Sequence, residues 1–141
     1  MKKGIRIFIL ISVTAVFLVI IYLFNKPCRN IETETPSYSM AAETLFNIYS
    51  IDEDMSNERY SNRVIQVSGK IAEILKENQQ ISIILFDTRN SVDCVLDGIT
   101  IKANQSFVNK LKVGDKITIK GKCDGFDMIM GVVLTRCFII H

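Results

Sequence analysis

The stretch RVIQVSGKIAEI, residues 63–74, alternates apolar and polar side chains in the way a half-buried β-strand does. Ile65, Val67 and Ile71 fall on one face, and Gly69 occupies the position on that face where another side chain is expected. A glycine in the middle of so long a strand lets it bulge or coil, so that its two halves serve two sheets packed across each other. The stretch therefore predicts the first strand of a small closed β-barrel.

The rest of the chain predicts one helix before this strand and four more strands after it. Apolar residues recur at helical spacing over 40–49, and a polar connector at 52–62 leads into the first strand. A short helix is expected between the third and fourth strands, with Asn104 as its cap and Gly114 at its end. In chain order, the later strands are expected at 81–86, at 92–96 with a continuation at 99–101 after a turn or bulge, at 116–122 and at 132–140.

The apolar residues of the chain are concentrated at its N-terminal end. Ile7 to Phe24 is a run of 18 residues without a charge, and as a helix it would span about 27 Å, enough to cross a bilayer. The core of a secretory signal peptide is shorter, about 7–15 residues, and small residues follow it at a cleavage site. This run continues instead into Asn25, Lys26 and Pro27. It therefore predicts an uncleaved transmembrane anchor.

The charges on either side of the anchor indicate its orientation. Lys2, Lys3 and Arg6 precede it, against Lys26 and Arg29 after it, so the positive-inside rule favours an N-terminus in the cytoplasm. The predicted organisation is a cytoplasmic N-terminus at 1–6, a transmembrane anchor at 7–24, a linker at 25–39 and an extracytoplasmic domain at 40–141.

Three strands, a helix and two more strands, with a glycine bend in the first strand, is the order of an oligonucleotide/oligosaccharide-binding (OB) barrel. The predicted fold is therefore mainly β. It is a five-stranded OB-fold barrel with a leading helix, a short helix between strands three and four, and an N-terminal transmembrane helix.

Short motifs along the domain follow a recognisable order. They are Ala42-Glu43, Leu45, Tyr49, Tyr60, Val67-Ser-Gly69, Leu111-Lys-Val-Gly-Asp115, Lys120-Gly-Lys-Cys123-Asp-Gly125 and Cys137. Over residues 40–140 this order resembles the tRNA_anti-like family of small bacterial OB-fold proteins. The resemblance implies an OB fold and no particular activity. Together with the anchor, it implies a single-pass protein of the bacterial cytoplasmic (inner) membrane.

The cysteines offer a candidate disulfide. Cys123 and Cys137 lie on the last two strands, which a hairpin would place side by side in an oxidising compartment. Closing a loop of this size is worth roughly 3 kcal/mol in the chain-entropy model. The alternative is two small buried thiols, and Cys94 on the third strand is expected to be one. Cys28 in the linker is either a free juxtamembrane thiol or part of an intermolecular bridge.

The residue types that carry catalysis or hold a metal are sparse. The spacing nearest to a metal-ligand pair is Cys137-x-x-x-His141, and the sequence contains no C-x-x-C pair, so no metal or other cofactor is predicted. The sequence shows no Ser/His/Asp order, no paired carboxylates at a recognisable spacing and no glycine-rich phosphate loop. We expect no catalytic residues and no enzyme activity.

A set of basic residues around the short helix and the fourth strand is the candidate binding surface. Such a set is more often a solvated face than a phosphate track, although anionic lipid headgroups are a further partner if it faces the membrane. Strands two and three offer one aromatic residue for base stacking, with Asp87, Asp93 and Asp97 nearby, which argues against nucleic acid. The candidate surface residues are Lys110, Lys112, Lys116, Lys120, Lys122 and Phe86.

Two functional hypotheses follow. The preferred hypothesis is a tethered binding module that recognises a protein segment or an envelope component through a strand edge or a loop. The alternative is an OB domain that binds single-stranded nucleic acid. The two differ in salt response, because binding through phosphates releases counterions and weakens as salt rises.

The predicted topology can be tested with reporters fused after His141. An alkaline phosphatase fusion is expected to be active and a green fluorescent protein fusion dark, because the C-terminal domain is expected outside the cytoplasm. The reverse pattern would contradict both the orientation and the compartment on which the disulfide depends.

Overall fold

The computed structural model describes residues 12–19, 30–77 and 80–140. Residues 12–19 are helical (α1), and no helix within the described ranges is both long and apolar enough to span a bilayer. The predicted anchor at 7–24 extends beyond the described residues at both ends. The predicted cytoplasmic N-terminus at 1–6 lies wholly outside them.

A six-stranded sheet closes into a barrel. Its strand order is β1-β2-β3-β4-β6-β5, and pairing between β2 and β5 closes it. The pairs β1–β2 and β4–β6 are parallel, and the other pairs are antiparallel. The elements are β1 (Tyr38–Ala41), α2 (Ala42–Ile51), α3 (Glu53–Tyr60), β2 (Val64–Glu77), β3 (Gln80–Phe86), β4 (Ser91–Leu96), α4 (Gly98–Ala103), α5 (Gln105–Val108), β5 (Lys116–Asp127) and β6 (Gly131–Ile140). The five strands β2 to β6 confirm the predicted OB-type barrel, and β1 is added to it.

The bend in β2 lies where the glycine predicts it. The first half of β2 pairs with β5 as far as Lys70, the second half pairs with β3 from Ile71 onward, and the register shifts between Ile71 and Glu73. A β-carbon at position 69 would lie 3.2 Å from the Ala42 Cβ and 3.5 Å from the Leu85 Cβ. Gly69 therefore lets the first residue of α2 approach the sheet.

Helix α2 packs one apolar face on the barrel. Ala42, Leu45 and Tyr49 are buried on that face, and burying a side chain the size of leucine contributes about 1.5–3 kcal/mol. The Tyr49 hydroxyl lies 3.3 Å from the Cys123 thiol, so this polar group has a partner inside the core.

Three segments differ from the prediction. Two of them form helices that begin at a capping carboxylate, and the third forms a strand through main-chain pairing with β2, and the pattern of apolar residues shows neither signal. The expected strand at 99–101 is part of α4, since the Asp97 carboxylate caps that helix by accepting from the Ile99 N–H. The polar connector at 52–62 contains α3, which Asp52 caps in the same way. The last two residues of the predicted linker and the first two of the predicted helix form β1, so the helix begins at Ala42.

The described part of the predicted linker is fixed to the barrel. Ile31 is 2% exposed. The Lys120 ammonium donates to the carbonyls of Glu32, at 2.5 Å, and Glu34, at 3.1 Å, and the Ser37 N–H donates to the Val64 carbonyl. Residues 30–37 are therefore a docked leading segment that continues directly into β1.

The predicted disulfide between Cys123 and Cys137 is wrong. Both are free, buried thiols, as is Cys94, which agrees with its expected state. Register shifts along β5 and β6 place Cys123 opposite Leu134, so the two cysteines do not face each other. Burial raises the pKa of the Cys123 and Cys137 thiols, which keeps them protonated.

The Cys137 thiol lies instead over Gly121. A β-carbon at Gly121 would almost overlap the Cys137 Sγ, and it would lie 3.2 Å from the Thr135 carbonyl oxygen. Gly121→Ala is therefore expected to lower the free energy of unfolding by about 1–3 kcal/mol through overpacking. Urea unfolding of the full chain in detergent, followed by circular dichroism, measures this loss.

Cys137→Ala provides the matched control, because it removes the sulfur atom that the new methyl group meets. In the double variant Gly121→Ala/Cys137→Ala, the two losses should sum to more than the measured loss, which is the signature of coupled positions. Strictly additive losses would contradict this packing.

Candidate ligand-binding groove

The bend in β2 forms one wall of a groove with a volume of ≈ 770 Å³. Its other walls are the first turn of α2, the start of β5, α5 and the end of β6. The volume lies in the range of small-ligand and peptide sites, about 300–1,000 Å³. The residues that line it are Ala41, Ala42, Glu43, Ser68, Gly69, Lys70, Phe86, Phe107, Lys116, Ile117, Thr118 and Ile140.

Two lysines lie directly opposite each other in this groove. Lys70 on β2 and Lys116 on β5 are register partners across the antiparallel pair, and both are exposed. Neither has an ion-pair partner among the described residues. Like charges at directly opposite positions are destabilising, so an anion bound between the two ammonium groups would relieve their repulsion.

Aromatic and apolar side chains surround the lysines. Phe86 ends β3 with a φ of 85°, a conformation that bulky residues rarely adopt. It is half-buried, with its ring centroid 6.4 Å from that of Phe46 on α2. Phe107 on α5 is 37% exposed on the other side. The groove therefore combines two positive charges with apolar surface.

On one side of β2, strand pairing is interrupted next to Lys70. β1 pairs with β2 as far as Ser68, and β3 begins to pair at Ile71. Between these positions, β2 has a strand partner only on its β5 side within the described residues. The gap opens onto the groove, and an extended chain can pair with such an edge.

The structure separates the lysines that the sequence grouped together. Lys116 and Phe86 meet in the groove as part of one surface. Lys120 is bonded to the leading segment, and Lys122 forms an ion pair with Asp124. Lys110 and Lys112 are exposed outside the groove, on the connection between α5 and β5.

Lys70 and Phe107 are the groove residues that sequence reasoning missed. The alternation of residues 63–74 does place Lys70 on the outer face of the strand, one residue after the glycine bend. What the sequence could not supply was the register with β5, which brings Lys116 opposite Lys70.

No group of three or more histidine, cysteine or acidic side chains is placed to hold a metal ion within the part of the chain that the structure describes. The pair Cys137-x-x-x-His141 is only half within it, because His141 lies outside the described residues.

A buried carboxylate lies elsewhere in the barrel. Asp93 on β4 is 1% exposed, and neither of its carboxylate oxygens has a hydrogen-bond partner at good geometry among the described residues. Burial raises the pKa of Asp93, and the nearby Ser82 hydroxyl offsets part of that rise. The burial of Asp93 therefore favours its neutral form relative to an exposed aspartate.

The comparisons with known proteins agree with this architecture. A model of the tRNA_anti-like family matches residues 1–139, which confirms the resemblance noted from the motifs. No curated protein matches the chain in sequence. A lipoprotein from Klebsiella pneumoniae, provisionally named as nucleic-acid-binding, is 14% identical with a TM-score of 0.58, and the match covers 74% of this chain and 93% of that one.

Two asparaginyl-tRNA synthetases are similar at a lower level. The enzyme from Entamoeba histolytica is 14% identical with a TM-score of 0.49, and the match covers 75% of this chain and 24% of that one. The enzyme from Pyrococcus horikoshii is 12% identical with a TM-score of 0.47, over 59% of this chain and 21% of that one. At these identities, the Klebsiella lipoprotein shows a shared fold only.

Asp93 generates a prediction about pH. In the unfolded chain an aspartate has its ordinary pKa of about 3.9, whereas in the folded chain the raised pKa of Asp93 keeps the proton bound to higher pH. Stability contributed by the neutral form is full below the unfolded pKa and is lost as pH rises through the folded pKa.

Asp93→Asn is therefore expected to be more stable than the wild type at neutral pH, with an advantage that shrinks as pH falls toward about 4. Urea unfolding of the full chain across this pH range measures the difference. A difference that stays constant with pH would show that Asp93 does not titrate in this way.

Proposed function

The chain belongs to the tRNA_anti-like family, and on this premise we propose that it is a membrane-tethered binding module and not an enzyme. Its OB barrel holds an acidic, extended segment of another envelope protein in the groove at the β2 bend. Lys70 and Lys116 bind the carboxylates, and Phe86 and Phe107 contact the apolar side chains between them.

The observation that carries this proposal is the opposed pair of lysines. Lys70 and Lys116 lie directly opposite each other without acidic partners, and their like charges repel. A barrel has many other outward positions for two lysines, so this repulsion could have been avoided. An anionic ligand turns this repulsion into attraction. One acid, Glu43 in the first turn of α2, also lines the groove, so a ligand must place its own charges toward the β2–β5 side.

The open stretch of β2 favours a peptide as the ligand. On the side of β2 that faces away from β5, no strand within the described residues pairs with Gly69 or Lys70, so a peptide main chain can form hydrogen bonds there. Main-chain pairing of this kind supplies affinity, while groove side chains select the sequence.

The tether follows from the charge-free run at 7–24 and the basic residues ahead of it. We place the chain in the bacterial cytoplasmic membrane with the barrel on the outer side. Phe24 and Asn30 are six residues apart, so they can be separated by at most roughly 20 Å. Because the leading segment is docked from Asn30 onward, the barrel would work close to the membrane surface.

A second candidate function is binding of single-stranded nucleic acid. Two phenyl rings flank the lysines, and bases stack on such rings. The similar Klebsiella lipoprotein carries a name that points the same way. Two lysines are few for this purpose, however, and Glu43 would oppose a phosphate.

Site-specific photocrosslinking in intact membranes tests the proposal. A photoreactive phenylalanine analogue at Thr118, inside the groove, is expected to form an adduct with a protein at an acidic segment. The double charge reversal Lys70→Glu/Lys116→Glu should remove most of this adduct, because the two groove charges are then negative and repel the acidic segment.

Lys110→Glu/Lys112→Glu is the matched control, since it makes the same change in net charge outside the groove. It should leave the adduct intact. Lys120→Glu is unsuitable, because it would release the leading segment. Equal adduct yields from the two double variants would count against the groove.

Titration of the full chain in phosphatidylcholine nanodiscs with labelled oligothymidine separates the second candidate. If two lysines contact phosphates, the logarithm of the affinity should fall with the logarithm of salt with a slope of about −1.4. Such binding, lost in Lys70→Glu/Lys116→Glu and kept in the control, would favour nucleic acid over peptide.

A further inference from the structure

The β5–β6 turn and the α2–α3 junction expose large aliphatic side chains. Met128 is 97% exposed, Ile129 93% and Met130 44%, and on the α2–α3 junction Ile51 is 86% and Met55 68% exposed. We call these five residues the apolar pole. None of them lines the groove, so the pole is a separate surface.

The two halves of the pole lie at the same end of the molecule because α3 runs alongside β5. Two residues beyond the C-terminal end of α3, the Asn62 N–H donates to the Cys123 carbonyl. In the middle of α3, the Asn57 amide oxygen lies 2.8 Å from where a β-carbon on Gly125 would be. The start of α3 is thus carried toward the end of β5, where the turn at 128–130 begins.

The turn holds its apolar residues in a defined conformation. The Asp127 carboxylate accepts from the Ile129 N–H at 2.8 Å and from the Met130 N–H at 3.0 Å. The Ser91 hydroxyl donates to the Met130 carbonyl at 2.9 Å, which ties the turn to β4. The side chains of Met128 and Ile129 therefore stay in solvent while their main chain is fixed.

The charges within the two segments that carry the pole are all negative. The segments 51–55 and 127–130 together contain Asp52, Glu53, Asp54 and Asp127 and no basic residue. The hydrogen bonds from Ile129 and Met130 lower the pKa of Asp127, so this carboxylate stays ionised. The adjacent β3–β4 turn adds one acid, Asp87, and one base, Arg89, which cancel.

We propose that the apolar pole docks a basic amphipathic segment of a partner protein. Aliphatic side chains, methionine above all, adapt to the apolar face of such a segment. The four carboxylates around them complement lysines and arginines on its flanks. Helical segments with this arrangement are a common class of protein ligand for exposed methionine-rich surfaces.

A lipid surface fits the same residues poorly. Anionic headgroups give a membrane a negative surface potential that attracts basic segments. The pole has carboxylates where a membrane-binding loop needs lysines, so charge complementarity favours a basic protein segment over lipid.

Methionine methyl NMR on the full chain in phosphatidylcholine nanodiscs tests the proposal directly. Labelled methyl groups report from Met55, Met128 and Met130 at the pole, while Met40 in β1 serves as an internal reference. The probe is a short amphipathic leucine/lysine peptide, and its leucine/glutamate analogue is the charge control. The lysine peptide should shift the three pole signals and leave Met40 unchanged, and the glutamate peptide should shift none.

Variants separate the two contributions to binding. Met128→Gln/Ile129→Gln should lower the affinity for the lysine peptide by about tenfold or more. Val113→Gln, which changes an exposed apolar residue outside the pole, should leave the affinity unchanged. Glu53→Lys/Asp54→Lys should also weaken it, whereas Glu73→Lys/Glu77→Lys, with the same charge change on β2, should not.

Three results would overturn the proposal. One is the absence of pole shifts at saturating lysine peptide, and another is equal shifts from both peptides. The third is a shift of the pole signals on adding vesicles of phosphatidylglycerol without any peptide, which would assign the pole to lipid.

Discussion

The close approach of α2 to β2 at Gly69 is the contact on which the rest of the structure depends. The Ala42 Cβ lies 3.2 Å from the position where a side chain at residue 69 would begin, so a larger residue there would press against the helix and push it away by a few tenths of an ångström. Because α2 is held there, Phe46 reaches both Phe86 and Phe126, and Tyr49 reaches Cys123. The same bend transfers β2 from β5 to β3 and opens the groove between them.

The leading segment explains how this helix is positioned. Lys120 holds the carbonyls of Glu32 and Glu34, and β1 then pairs in parallel with β2 until Ala41 lies beside Ser68. Ala42 follows at once and begins α2 directly above the glycine. A segment with the composition of a polar linker thus determines where α2 begins on the sheet. It also binds the Lys120 ammonium, which would otherwise face solvent.

The sequence predicted the barrel well, because alternation and one central glycine are local signals. Burial of one face of a strand enforces the alternation, so it is visible in the sequence. It predicted the groove only in part. Lys116 and Phe86 were identified, but the pairing of Lys70 with Lys116 depends on the β2–β5 register, which no local pattern encodes. The disulfide prediction failed for the same reason, since register shifts in β5 and β6 place Cys123 opposite Leu134. The helix at 98–103 was missed because one capping carboxylate outweighed three β-branched residues.

A formal net charge of +2 conceals two surfaces of opposite sign. The groove presents Lys70 and Lys116 among aromatic side chains, and the apolar pole presents four carboxylates among aliphatic ones. Each surface attracts a ligand that the other repels, because complementary charge steers the encounter and like charge opposes it. If both proposals hold, an acidic segment would be directed to the groove and a basic segment to the pole. The sign of the charge on each surface, more than its shape, would then prevent the two partners from competing for the same site.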